Sequence, residues 1–110
     1  VYDLRMATGI GEQGPTGVGQ VFAPDVQRIY VWFRFRGLPA GAELRSEWYY
    51  NDQGQLKRMA ETATKVQDPA VAWGQFNLAI NPGNKFPTGQ YRVDIYLGSQ
   101  LQASAAFQVR

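Results

Sequence analysis

An all-β sandwich of seven antiparallel strands is the fold class that this chain of 110 residues predicts. Three observations carry that expectation. Turn-forming residues recur at short intervals, the segments between them alternate apolar with polar side chains, and no stretch holds the period of a helix of normal length. The clearest segment is Tyr91–Leu97, entered through Pro87-Thr88-Gly89-Gln90 and left through Gly98-Ser99-Gln100. Tyr91, Val93, Ile95 and Leu97 share one side of an extended strand, and Arg92, Asp94 and Tyr96 share the other.

Taken in order, Tyr2, Leu4 and Met6 alternate with Asp3 and Arg5 and predict a first strand. Gly9 to Gly19 reads as a flexible glycine-rich loop. Val21-Phe22 follows, and Pro24 interrupts any continuous ladder there. Arg28 to Arg36 is the second strand, with Ile29, Val31, Phe33 and Phe35 facing the core and Tyr30, Trp32, Arg34 and Arg36 facing away. After Gly37-Leu38-Pro39-Ala40-Gly41, the segment Glu43 to Tyr50 places Leu44, Ser46, Trp48 and Tyr50 inward. Asn51-Asp52-Gln53-Gly54 is a turn whose side chains tolerate left-handed backbone. Leu56 to Val66 predicts a fourth strand but fixes no facing, and its Arg58 to Ala63 portion has the composition of a helical turn. Val71 to Ile80 is the fifth strand, with Ala72, Phe76, Leu78 and Ile80 inward. Gly89 to Leu97 is the sixth, and Leu101 to Val109 closes the set with Phe107 and Val109 buried.

Composition narrows the functions. A single domain over residues 1–110 is long enough to bury about two-thirds of its unfolded surface without staples. Eleven basic and nine acidic side chains leave a net charge of +2, and the pI near 9.1 reflects that small surplus together with the absence of His. Such a balance gives nucleic acid little electrostatic hold. Without Cys there is no disulfide framework and no thiolate. The strongly apolar run Ile29 to Phe33 stops at Arg34, far short of the ~20 residues that span a bilayer, so no membrane insertion is expected. No signal-peptide pattern opens the chain. Because it begins at Val1 rather than Met, the expectation is a piece of a longer protein whose leader or anchor lies outside it.

Candidate chemistry is sparse. Gly9-Ile10-Gly11-Glu12-Gln13-Gly14 matches the spacing of a dinucleotide-binding loop, but that chemistry needs a helix whose N-terminal amides meet the pyrophosphate. Pro15, Gly17 and Gly19 follow instead. Glu43 and Glu47 share a strand face, yet residues four apart on a strand lie ~13 Å apart, beyond the roughly 5 to 9.5 Å that paired glycosidase acids use. Arg45 between them suggests a solvated, self-neutralised face. Asp25, Asp52 and Asp68 are too scattered to imply a calcium site. Ser46, Ser99 and Ser104 have no His to act as base. No catalytic residue, metal or cofactor is expected, and the chain is not expected to be an enzyme.

The order of landmarks carries a resemblance. Ile29-Tyr30, Gly37 and Gly41, Trp48-Tyr49-Tyr50, Pro87-Thr88-Gly89-Gln90-Tyr91 and Phe107-Gln108-Val109 together resemble bacterial cysteine-free immunoglobulin-like (fibronectin-III-like) domains. Such domains are appended to receptor-kinase tails, lipoproteins and other envelope proteins. The resemblance spans about residues 20 to 110 and implies an extracytoplasmic place, secreted or at the cell envelope, with no common catalytic residues. It implies that Trp48 is the core tryptophan and that Tyr91 closes a tyrosine corner by bonding back to nearby backbone. It also makes the third and sixth strands neighbours, so that Arg92 and Asp94 face the Glu43–Glu47 surface, and the second and fifth neighbours. Tyr30, Trp32 and Trp73, flanked by Arg34, then form an exposed aromatic patch unless the first strand or an adjoining domain covers it. The function implied is a non-catalytic binding or spacer module that contacts a protein partner or a neighbouring domain. The alternative is a carbohydrate-binding module that stacks sugar rings on those aromatics.

Overall fold

The computed structural model describes residues 1–110. Its strands are β1 (Tyr2–Ala7), β2 (Gly9–Gly11), β3 (Gly14–Thr16), β4 (Val21–Phe22), β5 (Arg28–Arg34), β6 (Glu43–Asp52), β7 (Gln55–Lys65), β8 (Trp73–Ala79), β9 (Gly89–Leu97) and β10 (Gln100–Val109). The seven expected strands are β1 and β5 to β10. Together with β4 they form a three-stranded sheet, β1-β5-β8, and a five-stranded sheet, β4-β10-β9-β6-β7. No helix of the chain is long and apolar enough to cross a membrane.

The arrangement departs from the sequence expectation in two places. The sandwich is not wholly antiparallel, because β4 runs parallel to β10, with Gln108 opposite Val21 and Val109 opposite Phe22. The chain therefore leaves the three-stranded sheet after β1 and joins the other sheet at β4. The Gly9 to Gly19 segment is also not a loose loop: β2 and β3 pair as a hairpin around Glu12-Gln13. Its base is pinned by the Thr8 amide donating to the Thr16 carbonyl and the Gly19 amide donating to that of Met6. Gly17 sits there at φ +65, and a Cβ would collide with the Thr8 hydroxyl. Glycine is thus needed at that position for both backbone angle and space.

The core lies between the two sheets. Met6, Ile29, Val31, Phe33, Phe76 and Leu78 come from one side, and Leu44, Trp48, Tyr91, Val93, Ile95, Phe107 and Val109 from the other. Trp48 is 1% exposed and packs edge-on to Phe107 at 6.0 Å. Its indole nitrogen donates to Ser46 Oγ at 3.1 Å, and Ser46 shares a 2.8 Å bond with Thr62, so the buried hydroxyl is satisfied. Tyr91 stacks on Phe107 at 5.0 Å, and its hydroxyl donates to the Pro87 carbonyl. That bond ties the start of β9 to the chain that leads into it.

Ala72 is exposed rather than buried, and Ile80 is half-buried, so the inward side of the fifth expected strand reduces to Phe76 and Leu78. The Leu56 to Val66 strand is almost wholly exposed as β7, with no helical turn. Its facing has a structural cause. The β6–β7 register slips between Trp48 and Tyr49, so Met59 is left over and Arg58 pairs with Tyr49. The extra residue reverses the alternation along the strand.

Candidate functional site

The outer face of the three-stranded sheet holds the residues expected to form an aromatic patch. Trp32 lies opposite Gln75, Tyr30 opposite Asn77, and Arg34 opposite Trp73, all on neighbouring strands β5 and β8. The exposed patch does not form as expected, because Trp32 is only 7% exposed and Tyr30 is half-buried. The hairpin lies over this face, leaving between its tip (Gly11 to Gly14) and the rings of Trp32 and Trp73 a cleft of about 200 Å³. Arg34 lies over the Trp32 ring at 5.3 Å and reaches Asp3 at 3.5 Å. Trp73 alone of the three stays open, at 46%.

On its other side Trp73 borders a second and larger hollow. The open side of the sandwich, between the start of β8 and the end of β7, holds a groove of about 480 Å³. Phe33, Phe35, Leu44 and Val66 form its apolar floor, and Val71 and Trp73 stand exposed at its mouth. Gly74 keeps it open from below, since a Cβ there would press on the Phe33 ring at about 3.0 Å. The groove exists because the connection from Val66 to Ala72 turns back sharply through Asp68, whose carboxylate accepts from the Ala70 amide at 3.0 Å. No strand intervenes to cover the gap between the sheets.

Sequence reasoning placed Trp73 on the outer face but missed Val71 and the groove. The legible signals were the shortness of the Val66–Ala72 connection and the uncharged run Trp73-Gly74-Gln75-Phe76-Asn77-Leu78-Ala79.

The outer face of the five-stranded sheet is a different kind of surface. Glu47 stands directly opposite Asp94, and Asp94 is only 3% exposed. Glu47 receives Arg58 at 3.1 Å, Arg45 at 3.4 Å and the Tyr49 hydroxyl at 3.3 Å. Asp94 is held by Arg92 at 3.0 Å and by Ser104 at 2.7 Å. The Arg45 and Arg92 guanidinium groups lie over the rings of Tyr96 and Tyr49. Self-neutralisation is therefore present, but the expected solvated face is corrected to a partly buried network. The cause is aromatic side chains and arginine stems laid over the carboxylates.

Burial pushes the Glu47 carboxyl upward, but hydrogen bonds from Arg58 and Tyr49 and the charges of Arg45 and Arg58 outweigh it and hold the group below its ordinary value. Burial, and then the Glu47 charge, push the Tyr49 phenol up. Both carboxylates of this network are engaged by residues of the same sheet, an arrangement suited to holding strands together, although the Nε atoms of Arg45 and Arg92 are buried without a hydrogen-bond partner. Asp25, Asp52 and Asp68 are not drawn into any acidic group able to hold a metal ion.

Comparison with known structures identifies the architecture. An immunoglobulin-like protein from Pseudomonas aeruginosa superposes with a TM-score of 0.69 at 10% identity, over 100% of this chain and 94% of that one. The fold is thus an immunoglobulin-like β-sandwich. A Pseudomonas fluorescens alkylpurine DNA glycosylase bound to abasic-site DNA aligns over 83% of this chain and 28% of that one, at 16% identity and a TM-score of 0.47. A likeness that low bears on neither fold nor function. No protein-family model matches the chain, and no curated protein does.

Proposed function

We propose that this domain is a non-catalytic accessory module that contacts a protein partner, or a neighbouring domain of its own parent, through the open side of the sandwich. The observation that carries the reading is the pairing of exposed Trp73 and Val71 with an apolar groove floored by Phe33, Phe35, Leu44 and Val66. An amphipathic ring beside a hollow with an apolar floor is the composition of an interface anchor. Rigid strands on both sides would fix its orientation. An extracytoplasmic location, on a receptor-kinase tail, a lipoprotein or another envelope protein, fits the fold and the sequence landmarks. The carbohydrate reading is weaker than the sequence suggested, since a stacking platform of three rings is reduced to one.

The experiment places a photo-crosslinking amino acid at position 73 of the parent protein in its own cells. A protein adduct is expected from that position, and none from position 102 on the exposed stretch of β10. Adducts from position 102 alone would overturn the assignment. Retardation by glucans, chitin fragments or peptidoglycan in affinity gels, lost in Trp73→Ala, would establish the sugar reading instead.

A further inference from the structure

We infer that β8 is an edge built for strand addition. Its occupant is an extended, uncharged segment of a partner protein, which pairs backbone to backbone with β8 and lays its apolar side chains into the adjoining groove. The inference rests on the open side being the contact surface and goes further by naming the partner's conformation.

The register shows which backbone groups are free. The Phe35 amide donates to the Ala72 carbonyl at one end of the β5–β8 ladder, and the Ile80 amide donates to the Gln27 carbonyl at the other. Between them the pairing is unbroken, with Phe33 opposite Gly74, Val31 opposite Phe76 and Ile29 opposite Leu78. In an antiparallel ladder the hydrogen-bonded pairs alternate. Gly74, Phe76 and Leu78 therefore bond to β5, while Trp73, Gln75, Asn77 and Ala79 direct their amides and carbonyls away from the sheet. β8 has no second strand neighbour.

The other edges are each blunted. β7 carries Lys57, Arg58, Glu61 and Lys65. β1 is broken by a register shift at Asp3, whose φ is +57, and carries Arg5. β4 has two residues, β2 has three, and β3 contains Pro15. Charge, bulges, brevity and proline are the means by which edges are kept from pairing. β8 has none of these: it is seven residues long, regular in register and without a charged side chain.

The groove decides the kind of occupant. A strand added along Trp73 to Gln75 turns every second side chain toward the hollow between the sheets. Its lining carries only Lys65 and Asp68 as charges, opposite in sign, so apolar side chains suit it and a charged one would be desolvated. A second copy fits less well. The inward side chains of its own β8, Phe76 and Leu78, already belong to its core and leave the groove unfilled. A donated segment supplies both the backbone and the free side chains.

The test selects segments from a displayed random-peptide library on the folded domain and titrates the winners by amide NMR. Binding is expected to slow exchange at Trp73, Gln75, Asn77 and Ala79 and to leave Gly74, Phe76 and Leu78 unchanged. Gln75→Pro removes an outward amide while sparing the β5 ladder, and should weaken binding about tenfold or more. Methylating alternate amides of the peptide should abolish binding in one phase and spare it in the other, a readout that leaves the domain itself intact. Three results would overturn strand addition: no selected binder, equal tolerance of both methylation phases, or protection without alternation. A binder of the last two kinds that is lost with Trp73→Ala would overturn it while leaving the broader contact reading standing. A dimer that forms at high concentration and is dissolved by Gln75→Pro would replace the donated segment with a second copy.

Discussion

Tyr91 and Trp48 meet the same ring, Phe107, from two sides, and each adds a polar bond to its packing. Trp48→Ala should cost ~3 to 5 kcal/mol in denaturant titration, because the cavity opens between sheets that cannot close on it. Tyr91→Phe keeps the stacking and loses only the bond to Pro87, so about 1 kcal/mol is expected. The same phenol shapes the alkaline limb. Burial and the neighbouring Tyr50 push its pKa up to about 12 in the folded protein. The unfolded chain releases that proton near pH 10, so the stability is intact below pH ~10 and drains away as pH rises toward the folded value. Tyr91→Phe should flatten that loss, leaving the smaller contribution of Tyr49. Both residues were legible in the sequence, since each sits in an alternating strand beside clear turn residues. Trp32 was not: alternation gives the side of the sheet, but not what lies over that side. Trp73→Phe should therefore remove most acrylamide-quenchable fluorescence, and Trp32→Phe should leave it in place.

At the level of elements, two differ from the sequence expectation for definite reasons. Glycine and Pro15 give the hairpin the composition of a loose loop, yet its two base bonds and the close approach of Gly17 to Thr8 give it shape. Gly17→Ala forces a side chain into left-handed backbone, at a cost of ~1 kcal/mol or more. If the hairpin shields Trp32, that variant should also raise the quenchable fraction; unchanged quenching would mean that other residues provide the cover. β7 gave no facing because the extra residue at Met59 breaks the period of two. That slip brings Arg58 beside Glu47. Since Glu47 is held below its ordinary value, its stabilisation is full above the unfolded carboxylate range and is lost as pH falls through its folded value. Arg58→Gln should shrink the acid-side loss of stability, and an unchanged acid limb would show that Arg45 and Tyr49 suffice.

Across the whole molecule, the seven main strands and most of the core facing followed from local alternation, so the sandwich was readable from one sequence. The parallel joining of β4 to β10 and the groove were not, because both depend on which strands lack a neighbour, and that is a property of the assembled sheets. Their shared consequence is an uneven distribution of edges in the two main sheets: β1, β4 and β7 are guarded, and β8 is open beside an apolar hollow. Hydrogen exchange of the free domain, resolved amide by amide along β8, tests this most directly. Fast exchange at Trp73, Gln75, Asn77 and Ala79, with slow exchange at Gly74, Phe76 and Leu78, is the predicted pattern. Uniform protection along all seven would mean that β8 is already covered, and would contradict the open edge.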